Sequence, residues 1–288
     1  LLFTTHKSWG AATMYFTGSK EHNIAVRRRA NDRGMTLNEH GLTRLSDGKL
    51  IAGTTQAGIY EALDLAYQPE ELREGDTIYP LKKSARPPKL VSHEDIYSDW
   101  HMHTVWSRDA RSTFLEMAVE AKRLGLKTIG VTDHTEVQYG WDPLKIDDRR
   151  LEAEAAAEAT GLTIYAGCET GVNPDGTLDW SDEYLNKMDY VIASIHRQHS
   201  KNPVDRLIAA ARHPKVKIIG HPTGRMLNRR EIPDDDWDKL FEVCAEENVL
   251  VEINGPRLDL EPGLIRRAKA KGCKFVLSSD AHHVSHLP

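Results

Sequence analysis

From residue 96 onward, short apolar segments of strand length alternate with longer segments of helical periodicity. Segments rich in β-branched and apolar residues predict seven strands: Ile96–His103, Thr128–Asp133, Leu162–Cys168, Asp189–His196, Val216–His221, Val249–Asn254 and Lys274–Asp280. Amphipathic segments between them predict five helices: Thr113–Leu124, Asp147–Ala159, Val204–Arg212, Asp234–Glu246 and Pro262–Lys271. This alternation is typical of a parallel sheet, and seven units within about 190 residues favour a (β/α)7 barrel over an open sheet.

Histidines and carboxylates stand at the carboxyl ends of these predicted strands. In a parallel barrel the carboxyl ends of all strands open on one face, where active sites are built. We therefore expect nine side chains to meet in one cavity: His101, His103, Asp109, His134, Glu169, His196, His221, Asp280 and His282. Because side chains alternate along a strand, His101 and His103 face the same side.

Imidazoles and carboxylates without thiolates are ligands suited to zinc, manganese or iron. Nine candidates exceed the needs of one ion, so we predict two or three divalent cations, Mn²⁺ or Zn²⁺ with Fe²⁺ as an alternative, that share a bridging carboxylate. Sites with several metal ions are typical of phosphoryl chemistry. A single histidine at a strand end is more often a hydrogen-bonded loop residue. The repetition at successive strands favours the metal interpretation.

Arginines follow two of the same strand ends. Arg225 and Arg257 are candidates to hold a phosphate through paired hydrogen bonds, although a salt bridge at the rim explains each of them equally well. Asp133, Glu252 and Asn254 are interpreted as groups that orient ligands or support the fold.

The first part of the chain has a different character. Residues 1–90 carry a net charge of +3 and the remainder carries −8, so the first part suits phosphates and the second suits cations. The proline-rich and basic segment 79–88 predicts a linker. We place a first domain at 1–80, the linker at 81–95 and the barrel at 96–288. Near Thr17-Gly18-Ser19 the start of a helix offers N–H groups to a phosphate, but a capped amphipathic helix explains these residues more simply.

Composition excludes several other classes of protein. No apolar run approaches the ~18 residues of a membrane span, and we expect no membrane partner. Three widely spaced cysteines and the absence of a signal-peptide pattern favour a cytoplasmic location. The sequence contains no P-loop, G-x-S-x-G, H-E-x-x-H or C-x-x-C motif. Because the chain begins with Leu1 rather than Met, we interpret it as a piece of a longer or processed protein.

Six motifs in the second part resemble those of the PHP (polymerase and histidinol phosphatase) family: HMH (101–103), TDH (132–134), AGCE (166–169), ASIH (193–196), GHP (220–222) and SDAH (279–282). The resemblance implies a distorted seven-stranded barrel, a site for three metal ions with Glu169 as the bridging ligand, and hydrolysis of phosphoesters. Its ligands match the nine residues named above. In the polymerase-linked branch an acidic ligand usually stands where this chain has Arg108, one position before Asp109.

Residues 1–75 are similar to the end of the palm and the thumb of family X DNA polymerases, a small α+β unit. The similarity rests on the FTGS-x-x-x-N pattern (16–23), the segment 37–42, and residues 52–55 before a helix. It implies that Tyr15, Phe16 and Gly18 lie beside the sugar of an incoming nucleotide, that Asn23 contacts a base in the minor groove, and that Arg27 contacts the template strand. No paired Asp-x-Asp motif precedes Phe16, so we expect no DNA polymerisation by this chain alone.

Three functions follow as hypotheses. The first is a metal-dependent phosphoesterase that acts as a 3′→5′ exonuclease or processes DNA 3′ ends during repair, within a nucleoid-associated polymerase X protein. Its partners would be duplex DNA with a 3′ end and, if the polymerase part is present, a nucleotide. Glu169 and Asp280 would hold the ions, while Arg225 and Arg257 would hold the phosphate. The alternatives are a small-molecule phosphatase resembling histidinol phosphatase and a DNA-binding module without catalysis.

Overall fold

The computed structural model describes residues 3–73, 89–136 and 139–287, and the chain divides into two compact units, Leu1–Val91 and Ser92–Pro288. Each unit is described by itself. The first eight residues of the predicted linker, 81–88, lie outside the described residues. In the described part of the chain, no helix has both the length and the apolar character that crossing a bilayer requires.

The described residues of the first unit form three α-helices and a small antiparallel sheet. Its elements are α1 (Trp9–Thr17), α2 (Lys20–Asn31), β1 (Met35–Asn38), β2 (Gly41–Arg44), β3 (Leu50–Ala52) and α3 (Gln56–Ala62). The strands lie in the order β1-β2-β3. Helices α2 and α3 start at polar caps, because the Ser19 and Thr55 side chains accept hydrogen bonds from backbone N–H groups of the first turn. The expected small α+β unit is confirmed.

The second unit alternates strands and helices. Its strands are β4 (Ser98–Met102), β5 (Thr128–Val131), β6 (Thr163–Ala166), β7 (Cys168–Gly171), β8 (Val191–Ser194), β9 (Val216–Ile219), β10 (Leu250–Asn254) and β11 (Phe275–Ser278). Its helices are α4 (Phe114–Arg123), α5 (Ile146–Thr160), α6 (Asp182–Leu185), α7 (Pro203–Ala211), α8 (Trp237–Glu246) and α9 (Pro262–Ala270). The five predicted helices are confirmed, and none of their ends shifts by more than three residues. Their apolar faces pack on the outside of the sheets.

The strands form two parallel sheets that together make a distorted barrel. One sheet has the order β4-β5-β6 and the other has the order β11-β10-β9-β8-β7. Single bridges close the two seams, Met102 with Ala281 and His134 with Glu169. Hydrogen bonds from the His103 N–H to the Ala281 carbonyl and from the Asp280 N–H to the His101 carbonyl, both 2.8 Å, reinforce the first seam. The predicted distorted barrel is confirmed, but with eight strands in the described residues, because one of the seven predicted strands is divided.

The third predicted strand is wrong in one respect, because the structure divides it at Gly167. Strand β6 pairs with β5, whereas β7, directly after Gly167, pairs with β8. A Cβ atom at Gly167 would lie 2.8 Å from the Tyr190 ring and 2.9 Å from the Tyr190 carbonyl oxygen. The chain therefore passes from one sheet to the other at a residue that has no room for a side chain.

A buried ion pair ties helix α5 to the loops at the carboxyl end of the barrel. The Arg149 guanidinium donates two hydrogen bonds of 2.9 and 3.0 Å to Asp133 and lies between the rings of Phe114 and Trp141. The other Asp133 oxygen accepts from the Thr104 N–H at 2.6 Å. Asp133 thus anchors the loop after β4 as well as α5, which agrees with a supporting role.

Replacing Arg149 by Met should lower the free energy of unfolding by roughly 3–5 kcal/mol, because the Asp133 charge would stay buried without its partner. Urea denaturation measures the change. Arg150→Met is the matched control, because Arg150 is the next residue of α5 and pairs with Asp189 in a partly exposed position. The control should change stability by less than about 1 kcal/mol. Equal losses in the two variants would contradict a special contribution of the buried pair.

Candidate metal centre

The fold brings all nine predicted ligands to the carboxyl end of the barrel. They come from the carboxyl ends of β4, β5, β8, β9 and β11, from the first half of β7, which carries Glu169, and from the loop after β4, where Asp109 is the most exposed of them. His101, His103 and Glu169 have no exposed surface. Residues separated by about 180 positions in sequence therefore share one polar cavity, as a parallel barrel requires.

Glu169 lies at the middle of this cluster, and its two oxygens face different histidines. Oε1 lies 2.9 Å from His221 Nε2 and 3.1 Å from His196 Nε2. Oε2 lies 2.9 Å from His134 Nδ1 and 3.4 Å from His101 Nε2. A carboxylate whose two oxygens lie beside different nitrogen ligands is suited to bind two cations at once.

Two further carboxylates extend the cluster. Asp280 Oδ1 lies 3.3 Å from His103 Nε2, and Asp109 Oδ2 lies 3.5 Å from Nε2 of both His134 and His282. Donor atoms lie within 4.8 Å of one another in three groups: His101, His103 and Asp280; His103, His134 and His282; and His134, Glu169 and His196. The geometry gives Asp109 a place in the cluster although Arg108 occupies the usual position of an acidic ligand.

Several donor atoms of this cluster face one another at ion-pair distances without a well-formed hydrogen bond. Among the described residues these buried atoms are His101 Nε2, His103 Nε2, His134 Nδ1, Glu169 Oε2 and Asp280 Oδ1. Buried polar atoms without partners destabilise a fold, so a convergent set of them indicates a missing ligand. Imidazole nitrogens and carboxylate oxygens are donors that Zn²⁺ and Mn²⁺ accept. The residues fit two or three divalent cations.

Neighbouring positive charges keep the carboxylates of Glu169 and Asp280 ionised. Burial alone would raise the pKa of Glu169, but the charges of His196, His101 and His134 hold that pKa well below its usual range. Burial likewise opposes ionisation of Asp280, and His101, His103 and Arg257 hold the pKa of Asp280 well below normal. Metal ligands must be deprotonated, and both carboxylates meet that condition at neutral pH.

The second nitrogen of most candidate imidazoles is fixed by the protein. His101 Nδ1 lies 2.7 Å from Glu252, His103 Nδ1 lies 3.2 Å from the Ser107 hydroxyl, and His282 Nδ1 donates to the Asp280 carbonyl at 2.8 Å. Such contacts select the tautomer and aim the other nitrogen at a metal ion. The structure places Glu252 where an orienting group is expected.

Sequence analysis missed Glu136. This residue is 1% exposed and its carboxylate contacts His196 Nδ1. It follows His134 by two positions in a loop, so it does not stand at a strand end. The spacing of His134 and Glu136 equals that of His101 and His103, and this was the one local signal that could have identified it.

A buried arginine fixes the two loops that follow β7 and β8. Arg206 is 2% exposed and its guanidinium donates hydrogen bonds to the carbonyl oxygens of Asn173 at 3.0 Å and Gln198 at 2.9 Å. It also contacts the carbonyls of Val172, Arg197 and Lys201. Glu169 belongs to β7, and His196 follows β8. Arg206 therefore holds together the two loops that lie next to these candidate ligands.

The two predicted phosphate-binding arginines differ in position. Arg257 Nε donates to Asp280 at 2.9 Å, and its side chain is 26% exposed, so it lies at the rim of the cluster. Arg225 forms no ion pair with any residue in the described ranges, and it lines a cavity of about 390 Å³ with Trp237 and Glu261. Only Arg257 contacts a candidate metal ligand directly.

In the first unit the residues predicted to bind nucleotide lie around the turn between α1 and α2. Tyr15, Asn23 and Arg27 line one small pocket, and the Asn23 amide donates to the Tyr15 carbonyl at 2.7 Å. Phe16 is 63% exposed, and Gly18 ends α1 with a φ of 77°. Ser19 accepts from the His22 N–H at 3.3 Å, so a side chain already caps α2.

Models of two known protein families match this chain. The family model described as DNA polymerase beta thumb matches residues 12–74. The model described as PHP domain matches residues 99–255, which is more than half of the chain. The first match falls in the first unit and the second match falls in the second unit.

Relatives match both parts of the chain. The DNA polymerase/3′-5′ exonuclease PolX of Bacillus subtilis is 33% identical over 98% of this chain, which spans about half (51%) of that relative. A probable phosphatase of Caldanaerobacter subterraneus is 31% identical over 64% of this chain and 75% of its own length. The structure of histidinol phosphate phosphatase from Lactococcus lactis, complexed with zinc, L-histidinol and phosphate, has a TM-score of 0.50 at 17% identity, covering 65% of this chain and 87% of that chain. This last likeness concerns the fold.

Adding Mn²⁺ to chelator-treated protein should raise the melting temperature of the second unit, because a cation that binds only the folded state stabilises it. The gain is about 2.7 kcal/mol at a hundredfold excess over the dissociation constant. Calorimetry measures the shift. Glu169→Gln should lose most of it, whereas His93→Ala, at an exposed position before β4, should keep it. Identical shifts in all three proteins would contradict binding at the cluster.

Proposed function

Because the chain belongs to the PHP family of metal-dependent phosphoesterases and carries a DNA polymerase beta thumb ahead of its PHP domain, we propose that it removes nucleotides from DNA 3′ ends as a 3′→5′ exonuclease. The observation that carries this proposal is the Glu169 carboxylate between two groups of histidines. The PolX relative, whose name includes this exonuclease activity, supports it with both parts of the chain in the same order.

The residues of the cluster divide the work by their chemistry. Divalent cations bound there would activate water and neutralise negative charge on a phosphodiester. Glu169, Asp280 and Asp109 would supply the anionic donors, and the six histidines would supply nitrogen donors after releasing their protons to the solvent. Arg257, held by Asp280 at the rim, is positioned to bind a phosphate oxygen that approaches the cluster. Arg225 is proposed to bind a second phosphate, farther along the DNA strand.

The first unit would bind the DNA. Exposed Phe16 and the pocket of Tyr15, Asn23 and Arg27 offer aromatic, amide and cationic groups for a nucleotide and a backbone phosphate. A nonspecific exonuclease needs contacts of this kind, because the cluster itself recognises a phosphodiester and not a base sequence. The same residues would bind nucleotide if the chain is part of a whole polymerase.

A small-molecule phosphatase is the second candidate. The probable phosphatase of Caldanaerobacter subterraneus aligns with about two thirds of this chain, and the fold resembles that of a histidinol phosphate phosphatase. This activity would use the same cluster and would not need the first unit.

The exonuclease is tested with Mn²⁺ and a labelled duplex that has a recessed 3′ end. The wild-type chain should release nucleotides, and His103→Ala should reduce the rate by roughly 100-fold or more, since it removes a donor shared by two of the three groups. His93→Ala serves as the control and should match the wild type. No release by the wild type, or an unchanged rate in His103→Ala, would defeat the proposal. Faster hydrolysis of p-nitrophenyl phosphate than of the duplex would favour the phosphatase.

A further inference from the structure

Glu136 is a buried carboxylate that lies behind His196, on the side away from Glu169. We infer that Glu136 is a positioning residue that turns His196 Nε2 toward Glu169 and thereby builds the cation position between Glu169, His196 and His221. The inference rests on the metal-dependent function proposed above. It assigns a role to a residue outside the nine strand-end and loop ligands.

The His196 ring lies between two carboxylates. Its Nδ1 contacts Glu136 Oε1, and its Nε2 lies 3.1 Å from Glu169 Oε1. An imidazole that donates its Nδ1–H to a carboxylate has a lone pair on Nε2, which is the atom available to a metal ion. Glu136 therefore determines which nitrogen of His196 can act as the ligand.

The same arrangement occurs on the other oxygen of Glu169. His101 lies between Glu252, 2.7 Å from its Nδ1, and Glu169 Oε2, 3.4 Å from its Nε2. Glu136 and Glu252 thus each contact the Nδ1 atom of one histidine; the second oxygen of Glu136 also lies 3.6 Å from His134 Nδ1, and that of Glu252 accepts from the His221 N–H at 2.6 Å. Each outer carboxylate also raises the basicity of its imidazole, which strengthens binding of a cation.

Gly171 leaves the space that Glu136 needs. A Cβ atom at this position would lie 2.9 Å from Glu136 Oε1 and 2.4 Å from Asp179 Oδ2. The two acidic oxygens are therefore no more than 5.3 Å apart on either side of a residue without a side chain. Arg197 lies 3.6 Å from the other Asp179 oxygen, which reduces repulsion between the two acids. Any side chain at position 171 would collide with Glu136 and, more closely, with Asp179, neither of which is among the nine predicted ligands.

Stepwise Mn²⁺ binding to the full chain tests this role, with free Mn²⁺ followed by electron paramagnetic resonance. Glu136→Gln keeps the size of the side chain and removes its charge, and Gly171→Ala moves Glu136 while leaving every donor in place. Both should weaken one of the bound equivalents by about 10–100-fold and leave the others unchanged. Glu136→Asp, which keeps the charge, should restore part of the affinity.

Gly263→Ala is the matched control, because a Cβ atom there meets its nearest neighbour at an ordinary 3.6 Å. It should bind Mn²⁺ as the wild type does. Unchanged binding constants in Glu136→Gln would overturn the inference. So would an equal weakening of all equivalents together with a lower melting temperature of the metal-free protein, since that pattern belongs to general loss of structure. A wild type that binds no Mn²⁺ would instead defeat the proposed metal-dependent function itself.

Discussion

The carboxylate of Glu169, buried among five imidazoles, is the interaction on which the rest of the second unit depends. A buried negative charge is tolerated only where positive charge or hydrogen-bond donors surround it. Here His101, His103, His134, His196 and His221 all lie within 3.6 Å of its two oxygens. These five rings come from strand β4 or from the segments that follow β4, β5, β8 and β9.

Much of this arrangement could be predicted from the sequence because its causes are local. Short apolar segments predict strands, and apolar residues that recur with a period near 3.6 predict helices. The carboxyl ends of parallel strands in a barrel lie on one face. These rules predict a barrel and place the nine candidate donors on one of its faces. They also explain why His103 and His101 share one side of β4.

The remainder depends on contacts between distant parts of the chain. The break at Gly167 is imposed by Tyr190, a residue more than twenty positions away. Glu136 matters because of His196, and Arg206 matters because it reaches the carbonyls of two loops. None of these partners is visible in a local pattern. The different positions of the two arginines likewise depend on how the loops fold. Arg257 lies at the rim of the cluster, and Arg225 lies in another cavity.

The cluster spans the two seams of the barrel, where the three-stranded and five-stranded sheets pair through single bridges. His101, His103 and His134 belong to the three-stranded sheet or follow it, whereas Glu169, His196 and Asp280 belong to the five-stranded sheet or follow it. Each of the three donor groups takes members from both sides. An ion held by any of these groups would therefore link the two sheets and add its bonds to the backbone hydrogen bonds that close the seams.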